Sequence, residues 1–354
     1  TAFDYNKEAL KICNKINNVL DKKVVLYIDD LLDLKVEKEK YNFIYNQAVL
    51  EYFTHEEKTI CIKNLKKILK EEGIIVLVCQ NTNSAHNKND FTNVILGISG
   101  GIDSALTLAI AVDALGSDRV WAVMMPSEYT ASISLQDSRA ISKALGVNYS
   151  EFSINTMFDQ LLNSLVNKFQ WPQDQHEIGV TEENIQARIR GTILMALSNK
   201  YGAIVLTTSN KSEMVTGYST LYGDMAGGLA VLKDVSKSMV YKLCNYRNSL
   251  SMVIPERIIQ RAPSAELRPN QIDQDNLPPY NIIDGIIEEY IENGKSLYEI
   301  VDMGYPKADV RHIVSLLCKN EYKRRQSPLG ICITKQSFSK GWRYPITSKY
   351  KDTV

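Results

Sequence analysis

Apolar positions along this chain follow two alternating rhythms, short runs rich in Val, Ile and Leu and longer stretches with apolar residues three and four apart. Near the start, 23–28 and 73–79 read as strands, and 57–71 between them has helical spacing through Ile60, Leu65, Ile68 and Leu69. Residues 80–90 are polar and aperiodic and read as a linker. The alternation then resumes with a strand over 93–98, a glycine-rich turn, and a helix over 103–115. A strand follows over 119–125, a helix over 135–145 and a strand over 149–154. A long helix over 182–200 leads into a strand over 203–208, and from 281 onward the spacing is helical. Alternating strands and helices imply parallel βαβ units, so the expected fold is α/β with a doubly wound parallel sheet, a helical C-terminal region and a small α/β segment in front. On the long helix, Ile185, Ile189, Ile193 and Ala196 form a stripe expected to face the core. Asn184, Arg188 and Gly191 form a second stripe, with Gly191 small enough for a close approach.

Composition narrows the function classes. With 354 residues the chain has room for two domains, and 44% apolar against 23% charged residues gives enough for a sizeable core. Lys plus Arg and Asp plus Glu both total 41, so overall charge offers no case for nucleic acid or membrane binding. No long apolar run suggests a membrane span, and 1–21 has no signal-type pattern, so a cytoplasmic location is expected. Six dispersed cysteines without metal-ligand spacing are expected to be reduced thiols rather than a zinc site.

The richest chemistry lies in Gly97, Ile98, Ser99, Gly100, Gly101, Ile102, Asp103 and Ser104, between a strand and a helix. Adjacent glycines permit positive φ and let backbone N–H groups approach an anion. Ser104 is expected to cap the helix, whose N-terminus favours phosphate. The string has no Lys for a Walker A loop and lacks the G-x-G-x-x-G dinucleotide fingerprint. It resembles the pyrophosphate loop of the N-type ATP pyrophosphatases, which activate a carboxyl or carbonyl oxygen as an adenylate. Further blocks at 206–213, 216–218, 221–228, 234–237, 262–267 and 321–325 resemble NAD synthetases, and the ending at 343–347 resembles the synthetase half of the bacterial glutamine-dependent form.

That resemblance implies roles. Residues Gly97 to Ser104, Thr208, Lys237 and Ser264 would hold ATP, with Asp103 and Lys237 catalytic, and Asp103 and Glu213 would hold Mg²⁺. Asn184, Arg188, Glu213 and Lys323 would contact deamido-NAD. Taken alone, each has a plainer reading: Asp103 complements a helix dipole, Glu213 is a solvated helix charge, and Lys237 is a surface lysine. Arg188 and Arg190 could be solvated charges, and Lys323 a basic helix end. A lysine of the ammonia-dependent enzymes is replaced by Leu221, so that role is not carried over. The implied reaction is ATP-dependent amidation of deamido-NAD to NAD⁺ through an adenylate, with ammonia or glutamine-derived nitrogen. The implied partners are a second copy in a homodimer and a separate glutaminase, with neither nucleic acid nor membrane.

The front segment differs. Stretches at 4–10, 28–34, 45–53 and 65–73 resemble the middle of a class I methyltransferase, in which a residue matching Asp4 holds the ribose of S-adenosylmethionine. The expected organisation is a partial methyltransferase-like segment over 1–80, a linker over 81–92 and a synthetase over 93–354. A fused methyltransferase remnant, part of a longer chain and an unrelated spacer all remain open for the front. A catalytically silent scaffold and another ATP-pyrophosphatase amidoligase are the competing functions.

Overall fold

The computed structural model describes residues 41–47 and 69–78 as backbone, and 92–169, 179–269, 271, 275, 277–338 and 342–347 in full. The chain divides into two compact units, Thr1–Asp90 and Phe91–Val354. In the first, β1 (Tyr41–Gln47) pairs in parallel with β2 (Leu69–Val78), in register from Phe43 opposite Ile74 to Gln47 opposite Val78. The expected helix over 57–71 loses its last three positions to β2, where Ile74, Ile75, Val76 and Val78 favour a strand. The sequence reading missed β1, in which strand-poor Asn42 and Asn46 interrupt the apolar rhythm. The strand expected at 23–28, and Asp4, lie outside the described residues.

The second unit is a doubly wound α/β layer. Its sheet runs β5-β4-β3-β6-β7-β8 with every neighbouring pair parallel. The strands are β3 (Asn93–Gly97), β4 (Val120–Met124), β5 (Asn148–Glu151), β6 (Ala203–Thr207), β7 (Leu229–Ala230) and β8 (Leu329–Gly330). Helix α1 (Ile102–Leu115) joins β3 to β4, and α2 (Ser132–Leu145) joins β4 to β5. Helices α3 (Asn155–Phe169) and α4 (Val180–Tyr201) then carry the chain back to β6, on the other side of β3. The direction of winding therefore reverses between β3 and β6, which opens a crevice beyond their carboxyl ends. One face of the sheet packs Leu96, Leu106, Val120 and Leu232 into a core; the other packs Ile95, Val123, Ile185, Ile189 and Val205. Burial on both faces explains why these strands read as continuous apolar runs.

Helices α5 (Lys211–Thr216), α6 (Lys237–Leu250) and α7 (Glu256–Gln260) follow, then the C-terminal helical region. That region comprises α8 (Tyr280–Ile287), α9 (Leu297–Asp302), α10 (Lys307–Lys319) and α11 (Glu321–Arg325) around a core of Ile283, Ile286, Ile300 and Ile313. The sequence reading placed no element at α3, α5, α6 or α7, nor at the two-residue strands β7 and β8. In α6 only Val240 and Cys244, one turn apart, join Lys237 as fully buried side chains, too thin a stripe to read by period. The stripe expected on α4 needs one correction: Ala196 is exposed, while Leu194 and Ser198 are buried.

Candidate active site

The glycine-rich turn leaves β3 at the reversal point and opens α1. Gly100 has φ 79°, and a Cβ there would stand 2.5 Å from the Ser134 carbonyl oxygen, so both conformation and space require glycine. Gly101 is the N-cap of α1 and has extended backbone, with no side-chain cap. Ser104, expected to cap, instead stands in the first turn and tightens the loop from inside. Its hydroxyl donates to the Gly101 carbonyl at 3.0 Å and accepts from the Ser99 N–H at 3.2 Å. Ile98 and Ile102 are buried in the core, so only their backbone is left to face a ligand. Ile98 N–H is already committed to the Val123 carbonyl at 3.0 Å.

Three of the sequence candidates meet beside this turn. Lys237, 1% exposed, extends its Nζ to Asp103 Oδ2 at 2.5 Å and to Glu213 Oε1 at 3.5 Å. Asp103 comes from the first turn of α1, Glu213 from the first turn of α5, and Lys237 begins α6. A buried ammonium needs such partners, because desolvating an unpaired charge is costly. The sequence reading missed the residue that ties them together. The Asn210 Nδ2 group donates to Asp103 Oδ1 and to Glu213 Oε1, both at 2.8 Å, bridging the two carboxylates. Asn210 also caps α5, its Oδ1 accepting from the Glu213 N–H at 3.0 Å. The local signal was N-x-x-E, a capping pattern; the contact with Asp103 spans 107 positions and had none. Among the described residues no group of three or more His, Cys, Asp or Glu side chains converges for a metal.

Thr208 follows the last residue of β6 at the same crevice and is half-buried. Ser264 spends its hydroxyl within its own turn, donating to the Gln271 carbonyl at 2.5 Å and accepting from the Glu266 N–H. That turn docks on α2 through Glu266, which accepts from the Ser134 hydroxyl at 2.7 Å and the Ala131 N–H at 3.2 Å. Ser134 is the residue pressed against Gly100, so the Ser264 turn and the glycine turn share a support.

A second constellation surrounds the loop after α5. Asn184 Oδ1 accepts from the Thr220 hydroxyl at 2.8 Å, and Arg188 Nε donates to the Leu221 carbonyl at 3.2 Å. From the other side, Lys323 Nζ donates to the Gly217 and Ser219 carbonyls at 2.8 and 2.7 Å. Gly191 admits this loop rather than another helix: a Cβ there would stand 2.8 Å from the Gly223 carbonyl oxygen. Desolvation lowers the Lys323 pKa, with Asp224 pulling it back. Asp224 is reached by solvent but crowded by protein, and desolvation pushes its carboxyl up to about 6 against the pull of the Thr220 N–H and Lys323. Arg190 is not a solvated charge, since its Nε donates to the Met125 carbonyl at 2.9 Å and desolvation brings its pKa down to about 10. A cavity of about 570 Å³ opens along α4 and this loop, lined by Gly191, Thr192, Met195, Tyr222, Met225 and Gln326 among others. No residue of the glycine turn lines it.

A family model described as NAD synthase matches residues 74–327. The chain belongs to the NAD synthase family. A methyltransferase-domain model matches residues 1–77, the segment with methyltransferase-like stretches. Among NAD synthase relatives, the glutamine-dependent NAD(+) synthetase of Acinetobacter baylyi is 51% identical over 267 residues, 75% of this chain and 48% of that protein. That of Aquifex aeolicus is 46% identical over 281 residues, 79% of this chain and 49% of that protein. The chain thus spans about half the length of the curated relatives it matches. Of solved structures, the NMN synthetase from Francisella tularensis is 28% identical with TM-score 0.56, covering 68% of this chain and 90% of that one. The NH3-dependent NAD synthetase from Campylobacter jejuni is 26% identical with TM-score 0.52, over 66% and 87%.

Proposed function

We propose that the chain amidates deamido-NAD to NAD⁺ with ATP, through an adenylate, releasing AMP and pyrophosphate. The observation that carries this reading is the Asp103–Lys237–Glu213 cluster beside an anion-ready glycine turn in an NAD synthase fold. The turn and the start of α1 would take the ATP phosphates. The nicotinate carboxylate attacks the α-phosphorus, and ammonia then attacks the activated acyl carbon. Lys237, held beside the phosphate turn, would stabilise negative charge developing at phosphorus. Thr208 and Ser264 flank the crevice as further ATP contacts, and Asn184, Arg188, Glu213 and Lys323 are proposed for deamido-NAD.

Asp103 and Glu213 fit a magnesium site. They are two part-exposed carboxylates aligned by one Asn210 amide, and they would hold the ion together with phosphate oxygens of the substrate. When bound, Mg²⁺ would neutralise charge on the phosphate oxygens. The proposed organisation keeps a methyltransferase-like segment over 1–80, a linker over 81–92 and a synthetase over 93–354. A homodimer across the cavity face of α4, where Met195 and Tyr222 are exposed, completes the reading.

The test is incubation with ATP, Mg²⁺, deamido-NAD and either ammonium or glutamine, following NAD⁺ and AMP. NAD⁺ with ammonium is expected; glutamine adds the question of the nitrogen donor, which the glutamine-dependent relatives leave open for this chain. Absence of NAD⁺ with both donors overturns the reading in favour of a silent scaffold. The NMN synthetase neighbour supports a second reading with NMN as product, so nicotinic acid mononucleotide is run in parallel. Asp103→Asn is expected to lower turnover by about a hundredfold or more with an unchanged circular dichroism spectrum. Near-normal turnover would remove Asp103 from the metal and phosphate roles.

A further inference from the structure

Helix α8 belongs to the C-terminal helical core, yet two of its side chains reach the start of α6 and the head of Lys237. Tyr280 and Asp284 are four positions apart, so they share one face of the helix. Lys237 Nζ lies 5.2 Å from the centroid of the Tyr280 ring, within cation–π range. Asp284 holds the backbone beside the other end of the same lysine, directly at Ser238 and through Ser212 at Lys237 itself. Its Oδ2 accepts from the Ser238 N–H at 2.7 Å, and its Oδ1 accepts from the Ser212 hydroxyl at 2.5 Å. The Ser212 oxygen in turn accepts from the Lys237 N–H at 2.9 Å. Ser212 is fully buried and stands next to Glu213 on α5, so one carboxylate fixes the beginnings of α5 and α6, two of the three helices that carry cluster residues.

We propose that Asp284 is a positioning residue for the phosphate-activating lysine, acting through Ser212 and the first N–H groups of α6 to aim Lys237 at Asp103 and Glu213. The inference rests on the amidation reading and extends it to a residue that touches neither substrate. A carboxylate suits the task for two reasons. It offers two acceptors to two donors at once, and its charge complements the N-terminal end of the α6 dipole. An asparagine at 284 keeps an acceptor for the Ser238 N–H but turns its N–H₂ group toward the Ser212 oxygen, so the charge-assisted bond is lost and Ser212 becomes an acceptor on that side as well as from the Lys237 N–H. The Lys237 head then loses its fixed approach, and positional errors of this kind are costly in the transition state rather than in ground-state binding.

The experiment compares wild type, Asp284→Asn, Ser212→Ala and the double variant in two readouts. The first is reductive methylation of lysines read by peptide mass spectrometry. Lys237 is expected to be protected in wild type and labelled in the variants, while buried Lys211 and Lys233 stay protected in all. The second is steady-state NAD⁺ formation. Here kcat is expected to fall by about tenfold or more with KM for ATP within about threefold, and the double variant should be no worse than the poorer single. Lys237 protected in every variant with kcat within about twofold of wild type overturns the proposal. So does simultaneous labelling of Lys211, Lys233 and Lys237, which marks general loosening instead of aiming. Should wild type form no NAD⁺, the amidation reading fails, and the methylation pattern still decides what Asp284 does to Lys237. Where Asp284→Asn does not fold, Ser212→Ala carries the same test.

Discussion

Gly100 combines two constraints on one missing atom, a φ of 79° and a backbone oxygen 2.5 Å from where a Cβ would stand. The Ser134 backbone cannot rotate away as a flexible side chain would, because it opens a turn of α2 that Glu266 also holds. Gly100→Ala is therefore expected to cost about 1–3 kcal/mol and to distort the turn enough to weaken ATP binding by about tenfold or more. Calorimetric titration with ATP checks this, and an affinity within about twofold of wild type would show that the turn is not the phosphate cradle. Asp224 gives a residue-scale prediction of opposite sign. Its folded-state carboxyl is raised to about 6 by desolvation, above the ordinary aspartate value of 3.8, so folding takes up a proton between those values. That contribution is complete below the unfolded value and is lost as pH rises through about 6. Asp224→Asn keeps an acceptor for the Thr220 N–H and removes the charge. It should match wild type in thermal stability near pH 4 and exceed it above pH 6.5, by on the order of 1 kcal/mol after allowance for solvent screening. Thermal melts across that range test the sign, and a variant less stable than wild type at pH 7.5 would refute it.

At the scale of elements, α5 is too short to hold itself, and its position is set from both ends. Lys211, at its start, lies buried with Asp234 at 2.9 Å, Glu292 at 2.6 Å and the Thr334 hydroxyl at 2.7 Å. Asp234 and Glu292 also accept N–H groups of Ile333, Thr334 and Gln336, so the tail after β8 is strapped to the helix that presents Glu213. At the other end Arg324 donates to the Met214 carbonyl. Lys211→Met strands two carboxylates in a desolvated site and should cost about 3–5 kcal/mol, read by urea denaturation. A loss under about 1 kcal/mol would mean water already compensates these charges. This strap also shows where sequence reading stops. The α1 turn was legible because its glycines, its strand and its helix are contiguous, and the parallel sheet was legible because β3, β4 and β6 are short apolar runs that alternate with helices. Asn210, Ser212 and Asp284 were not, because the partners that give them meaning are 72 or 107 positions away. Ser104 was misread for the converse reason. Its sequence suits a cap, but Gly101 begins the helix earlier and leaves Ser104 inside the first turn.

For the whole molecule, the question is how much chain the site requires. Every residue of the Asp103 cluster, the Ser264 turn and the loop held by Asn184, Arg188 and Lys323 belongs to the unit Phe91–Val354. That unit contains the complete six-stranded sheet and all three apolar cores described above. The family model, however, begins at residue 74, inside β2, which pairs with β1 within the unit Thr1–Asp90. The two boundaries make different demands. If 74–90 belongs with β1, a chain of residues 91–354 loses nothing its sheet needs. If it belongs with the synthetase, cutting at 91 removes packing that β2 supplies. The register of β2 against β1 over Phe43 to Gln47 favours the first. Residues 91–354 expressed alone should therefore melt as one cooperative transition and bind ATP within about twofold of the full chain. Residues 74–354, which would carry the second half of β2 without β1, should be no more stable and should expose an unpaired strand edge prone to association. Higher stability of 74–354, with a monodisperse profile in light scattering, would move the boundary to 74 and assign β2 to the synthetase.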